Sequence, residues 1–247
     1  MKGSVHLIIT EFKLFFRNYM NLFFTIVFPG LMLILFGEIY GNDPSELFNG
    51  YGTIDISTPA YCAMIIAVTG VMSIPLSIVN YREKKILKRY MVTPVKVSSI
   101  LIAEFVVNLI MTIIGIVILM IVGKVCYNIH FQGNVFVFAI VLLFCILVIF
   151  SIGLLIGSLA SNTKNANAIS NAIYFPMLFL SGATIPVELF PSKIEAISNV
   201  LPLTYVVKVL KGVWIGTAID NYAKDLLVLA VIFGICITIS IKKFKWE

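Results

Sequence analysis

Apolar residues gather along this chain in long, nearly unbroken runs, such as Leu109 to Val122, and do not alternate with polar ones. Alternation would read as the strands of a membrane barrel, whereas continuous runs of about 20 apolar residues read as membrane-crossing helices. Six runs fit: Asn21 to Tyr40, Pro59 to Ile78, Ser99 to Val122, Val135 to Ala160, Ala166 to Ile185 and Leu226 to Ile241. The fold class predicted is therefore all-α integral membrane, with six transmembrane helices in one domain over residues 1–247. Ahead of the first run, residues 1–20 mix Phe12, Phe15 and Phe16 with Glu11, Lys13 and Arg17, the pattern of a helix lying along a membrane surface. Those charges, and the lack of a small-residue cleavage site after the first run, argue against a removable signal peptide.

Composition agrees: 60% of the residues are hydrophobic and 12% charged, against roughly 25% charged in soluble domains. Six crossings put both termini on one side, and the 18 lysines and arginines test which side that is. With both ends cytoplasmic, only Lys124, Lys193, Lys208, Lys211 and Lys224 fall outside. The inner side then holds the rest, including the cluster from Arg82 to Lys96 and the tail Lys242, Lys243 and Lys245. This predicts a multi-pass protein of the cell membrane with cytoplasmic termini. A seventh crossing over Tyr205 to Ile215 is disfavoured, because Lys208 and Lys211 would sit mid-span at about 2.5–3.5 kcal/mol each.

The densest charge cluster, Asn80 to Lys96, reads NYREKKILKRYMVTPVK. Ile86, Leu87, Tyr90 and Met91 share one helical face, Arg82, Lys85 and Arg89 another, and Pro94 ends the run, so a short amphipathic helix is predicted over residues 81–94. Two uses stay open: an anchor on anionic headgroups, or a docking element seated in a groove of a cytoplasmic partner.

At these residues the chain resembles ABC-2 type permeases, whose segment between helices two and three has an Arg-Glu start, a Leu-Lys-Arg-like stretch and a closing Thr-Pro. Arg82, Glu83, Leu87, Lys88, Arg89, Thr93 and Pro94 match that order, while Lys85-Ile86 stands where the family often has Gly-Thr. The resemblance implies a coupling helix whose Arg82, Glu83, Lys84, Leu87, Lys88, Arg89, Met91, Thr93 and Pro94 touch an ATP-binding cassette subunit.

A second stretch, Phe179 to Tyr205, reads FLSGATIPVELFPSKIEAISNVLPLTY. Pro186, Pro191 and Pro202 each remove a helix donor, which predicts broken, re-entrant helices on the outer side over residues 186–218. Leu180, Ser181, Gly182, Pro186, Pro191, Leu201, Pro202, Thr204 and Tyr205 are similar in order and spacing to the C-terminal signature of ABC-2 drug and antibiotic exporters. In that family this region caps the translocation route.

Asn165, Asn167 and Asn171, followed by Tyr174, Ser181 and Thr184, place a polar stripe along the fifth run, so the candidate pathway or gate residues are Asn171, Tyr174, Ser181, Thr184, Pro186, Pro202 and Tyr205. Glu38 and Glu104 fall inside runs near their ends; for Glu104 a salt bridge into the Arg82 to Arg89 segment, or headgroup water, is expected rather than a proton relay. Gly153 and Gly157 form a GxxxG that permits close helix packing. Cys62, Cys145 and Cys236 lie in apolar runs and Cys126 in a predicted loop, without metal-ligand or redox spacing.

No HExxH, GxSxG or CxxC is present, His6 and His130 fall on opposite sides, and Gly123-Lys124 is followed by Val125, so neither a catalytic constellation nor a phosphate-binding loop is expected. The chain is expected to bind no cofactor and no nucleic acid. ATP and Mg would sit on a partner ATPase in two copies, and a second permease copy or paralogue would complete the pathway. An amphipathic cargo such as a drug, antibiotic or antimicrobial peptide is what the exporter likeness implies, with polysaccharide or lipid as the other cargo class. An ATP-independent secondary carrier is the rival from outside the family.

Overall fold

The computed structural model describes residues 2–44, 50–86, 97–185, 187 and 190–244, with the side chains of residues 2–6, 97 and 98 left out of the description. Within them the fold is helical, and the one β feature is an isolated bridge between Pro44 and Gly52. The helices are α1 (Lys2–Arg17), α2 (Tyr19–Tyr40), α3 (Thr53–Glu83), α4 (Val97–Tyr127), α5 (Val135–Leu159), α6 (Thr163–Leu180), α7 (Ser192–Ser198), α8 (Pro202–Trp214) and α9 (Ala223–Lys243).

Five of them, α2, α3, α4, α5 and α9, are long and apolar enough to cross a membrane. The fifth predicted run forms α6, but the helix begins earlier, and Lys164, Asn165, Asn167 and Asn171 leave its first half too polar to pass as a span on its own. Between α7 and α8 the chain turns through 96° at Asn199 to Leu201, either as one broken span or as a re-entrant loop. Pro202 stands in the first turn of α8, where its missing N–H costs nothing. Cys126, expected in a loop, instead lies in the last turn of α4.

Helix α3 is the axis of the bundle: 83% of its apolar window is buried, against 17–50% for the other spans. Tyr61, Met64, Ile65, Ile66, Ile74 and Ile78 along it are at most 2% exposed. The other long helices lean on it and expose apolar faces such as Leu31 and Leu35 of α2 or Val231 and Ile235 of α9. Such faces suit a surrounding of lipid, in which leucine costs nothing.

Two π turns, Phe23–Val27 in α2 and Val68–Ser73 in α3, share a cause. Each holds the carbonyl four residues ahead of a proline, Thr25 before Pro29 and Val71 before Pro75, which an ordinary α-helix would drive into the proline ring. Widening the turn relieves the clash but strands a carbonyl. In α3 the Ile74 N–H goes to Thr69 O, and Pro75 has no N–H to offer Gly70 O. A glycine of a neighbouring helix approaches each disturbed turn: a Cβ at Gly153 of α5 would lie 1.9 Å from Gly70 O, and one at Gly115 of α4 2.9 Å from Thr25 O. The first glycine of the predicted GxxxG thus backs onto a bare carbonyl, while a Cβ at Gly157 would meet only side-chain atoms of Ile78, at a tight 3.3 Å.

At the His130 end of the bundle, Asn42 Oδ1 accepts from the N–H groups of Ile54 and Asp55, both at 3.1 Å, and caps α3 from outside. Asn42 Nδ2 also donates to Tyr127 O at 3.1 Å, tying the start of α3 to the end of α4. Asp55 Oδ1 accepts from the His130 N–H at 2.7 Å. Phe131, Phe138 and Trp214 pack edge to face with centroids 5.0–5.6 Å apart, fastening the end of α8 to the start of α5.

Candidate functional site: a polar cleft and the staple beside it

Opposite the His130 end, a cleft enters the bundle between the α1–α2 junction, α3 and the start of α6. Ser73, Ser77 and Asn80 recur at spacings of four and three, one face of α3, and look toward Asn18 and Asn21. Asn18 caps the first turn of α2 by accepting from Asn21 N–H, and Asn21 Nδ2 donates to Ser73 Oγ at 2.9 Å across the cleft. One lobe, of about 180 Å³, runs beneath α1 to Glu11, Tyr81 and Glu104. The other, of about 360 Å³, opens beside Thr163, Lys164 and Asn167 of α6. Both lobes share Asn18, Asn21, Ser73, Ser77 and Asn80, so they form one continuous polar recess.

Arg82 and Glu83 form the last turn of α3. The Arg82 guanidinium donates to Ala160 O, at the C-terminus of α5, and Glu83 Oε2 accepts from the Thr163 N–H at 2.8 Å and from its hydroxyl, at the N-terminus of α6. Each charge therefore faces the helix end whose dipole it complements. The pair staples α3 to the turn between α5 and α6. Lys84 closes α3, and Lys85 takes a left-handed φ of +56° that reverses the chain. This is the position where the resembling family often has glycine, the residue that enters that region without steric cost. Leu87, Lys88, Arg89, Met91, Thr93 and Pro94 of the predicted coupling helix lie outside the described residues, as does Pro186.

No hydrogen bond among the described residues joins two of the candidate pathway residues. Asn171 donates to Asn167 Oδ1 at 2.9 Å and continues the polar side of α6 above the cleft. Tyr174 and Ser181 are buried, at 1% and 0% exposure, and neither hydroxyl has a partner among the described residues. Thr184 hydroxyl donates to Leu178 O at 3.0 Å, and Tyr205 hydroxyl to Asn199 O at 2.6 Å, so both brace the breaks on either side of α7.

Glu104 also departs from expectation. It makes no salt bridge with a described basic residue; it accepts from Asn108 Nδ2 at 2.9 Å and meets Tyr81, which also holds Glu11. A ladder continues from there through Thr112 to Thr69, whose hydroxyls are 2.8 Å apart. Glu38 accepts from the Tyr127 hydroxyl at 3.0 Å. The cleft residues on α3 were readable as three small polar positions on one face of an apolar span; Glu11 gave no such sign, because acids are common on interfacial helices. Among the described residues no group of His, Cys, Asp and Glu is placed to hold a metal ion.

An all-helical bundle with several membrane-length spans has the architecture of a multi-pass membrane protein. The model of the ABC-2 type transporter family matches residues 5–214, and the chain belongs to that family. It is similar to "Probable multidrug ABC transporter permease YbhR" of Escherichia coli (strain K12), 27% identical over 160 residues, covering 65% of this chain and 44% of the relative. It also resembles "ABC transporter G family member 20" of Dictyostelium discoideum, 26% identical over 170 residues, covering 68% of this chain and 22% of the relative. "Putative transport permease ycf38" of Porphyra purpurea is 24% identical over 198 residues, covering 78% of this chain and 67% of the relative. The chain thus matches less than half the length of the first two relatives.

Proposed function

We propose that this chain is the permease subunit of an ATP-driven exporter, moving an amphipathic cargo such as a drug, antibiotic or antimicrobial peptide out of the cell. ATP is hydrolysed on a separate cassette subunit, two copies of which dock on the cytoplasmic segments of two permease chains. The termini, the Arg82 end and the polar cleft face the cytoplasm, α1 lies along the inner leaflet, and α7 with α8 forms the outer re-entrant pair. The excess of lysine and arginine at the Arg82 end supports that orientation.

The observation that carries the reading is the staple of Arg82 and Glu83, taken with family membership. A partner that grips residues 84–96 pulls directly on the end of α3, and through the staple on α5 and α6. Because α3 and the start of α6 both line the cleft, the same pull shifts them together relative to Asn18 and Asn21 and so alters the cleft. Nucleotide then shifts the chain between inward-open and outward-open states to the extent that the docked ATPase prefers one of them. A cleft lined by asparagine and serine, with Leu14, Phe15, Leu76 and Val107 beside them, suits a cargo with a polar end and an apolar body.

The test is reconstitution of the permease with a cassette ATPase in vesicles, following uptake of a fluorescent amphiphile into inside-out vesicles. Uptake that needs ATP, and falls when Leu87→Glu and Arg89→Glu weaken ATPase retention, supports the reading. Uptake that persists without nucleotide, driven by an ion gradient, overturns it.

A further inference from the structure

Glu11 of α1 and Glu104 of α4 converge on one phenol, Tyr81 of α3. All three are buried, at 7%, 7% and 6% exposure. The Tyr81 hydroxyl contacts Glu11 Oε2 and lies 3.3 Å from Glu104 Oε2. A phenol carries one hydrogen, so with both acids ionised one carboxylate would face the lone pairs of the tyrosine oxygen. Two like charges in one buried site also favour keeping a proton on one of them. Among the described residues no cation relieves the pair: Arg82 is turned to Ala160 O, Lys13, Arg17, Lys84 and Lys85 are exposed, and the side chains of Asn18, Asn21, Asn80 and Asn108 around it are neutral. Burial, with the Glu104 charge adding and the Tyr81 hydrogen bond opposing, pushes the Glu11 carboxyl up to about 7.

We propose that Glu11, Tyr81 and Glu104 form a clasp around a single shared proton, and that the clasp holds α1 against α3 and α4 beside the cleft. With the proton in place, α1 is locked. When it leaves through the cleft to water, two facing carboxylates remain and α1 loosens. The three are positioning residues: through α1 they set how firmly movement of the α3 end reaches the cleft. This last step rests on the permease reading, whereas the clasp does not.

The sign follows from proton binding. A released Glu11 loses its proton near 4.5 and a clasped one near 7, so the clasped state binds the extra proton between these values. Its stabilisation is full below about 4.5, declines as pH rises, and is gone above about 7. Between those limits one linked proton shifts the locked-to-loose ratio about tenfold per pH unit.

The test uses the full chain in lipid nanodiscs with a nitroxide at Ile9→Cys, which is exposed on α1, in a Cys126→Ser background that leaves only buried cysteines. The expected result is an immobile label at pH 5.5 that becomes mobile by pH 7.5. Glu11→Gln keeps the label immobile at both values, since its amide stays neutral, and Tyr81→Phe leaves it mobile at both. His6 shares α1, and histidine as a residue type is the ordinary source of a charge change between pH 5 and 8, so His6→Gln is the control and retains the wild-type shift. A label that ignores pH in the wild-type chain, a wild-type shift surviving in Glu11→Gln, or a shift abolished by His6→Gln overturns the clasp. Those outcomes leave the permease reading standing; ATP-independent uptake sinks that reading and leaves the label data untouched.

Discussion

Gly153→Ala isolates a contact in which one helix lies against the backbone of another. The added methyl would lie 1.9 Å from Gly70 O and 3.0 Å from its carbonyl carbon. A carbon and a carbonyl oxygen approach to about 3.3 Å at best, so α5 must withdraw from α3 by more than 1 Å or tilt about its centre. Neither partner is a flexible side chain end: Gly70 O belongs to the π turn that Pro75 imposes, and α5 is packed against α9 on its other side. Overpacking of this kind costs about 1–3 kcal/mol, and at about 2–4 °C per kcal/mol the melting point falls by several degrees. Gly157→Ala is the internal comparison, because its methyl meets the Ile78 side chain at 3.3 Å and needs only a small adjustment. Differential scanning fluorimetry in detergent compares the two. A large fall for Gly153→Ala with a fall under about 1 kcal/mol for Gly157→Ala is expected; equal effects, or a neutral Gly153→Ala, would refute the account of the π turn.

Three further outcomes follow from local geometry. Asn42→Ala removes two accepted hydrogen bonds at the start of α3 and one donated to Tyr127 O, and should cost about 1–2 kcal/mol in the same melting assay. Lys85→Gly relieves a left-handed residue after α3, and should raise stability by about 1 kcal/mol while keeping transport. Thr163→Val removes one of the two donors to Glu83 but spares the backbone N–H, so it should lower coupled transport less than Glu83→Ala does, read as uptake per ATP hydrolysed.

Much of the helix plan was legible because membrane burial demands long apolar runs, and five of the six predicted runs emerge as membrane-length helices with ends shifted by at most seven residues. The exception, α6, reads as a span in the sequence, but the asparagines that make its first half a cleft wall dilute its hydropathy below that of one. Prolines announced the break between α7 and α8 but not the π turns, whose effect depends on a glycine of another helix standing opposite the bulge. Arg82 and Glu83 were recognisable as a motif; that they bind Ala160 and Thr163 of their own chain was not, because charge complementarity with two helix ends is a relation between elements distant in sequence. The Glu11 and Glu104 pair was hidden for the same reason, since three helices must meet before two ordinary acids share one tyrosine.

The permease assignment is tested most directly by purifying the tagged chain from its own membranes in mild detergent and measuring ATPase activity in the eluate. Retention of a cassette ATPase that is lost with Leu87→Glu and Arg89→Glu, while the chain itself still purifies intact, is the predicted result. An eluate free of any nucleotide-hydrolysing subunit, with residues 84–96 open to a membrane-impermeant label from the outside of the cell, would contradict it.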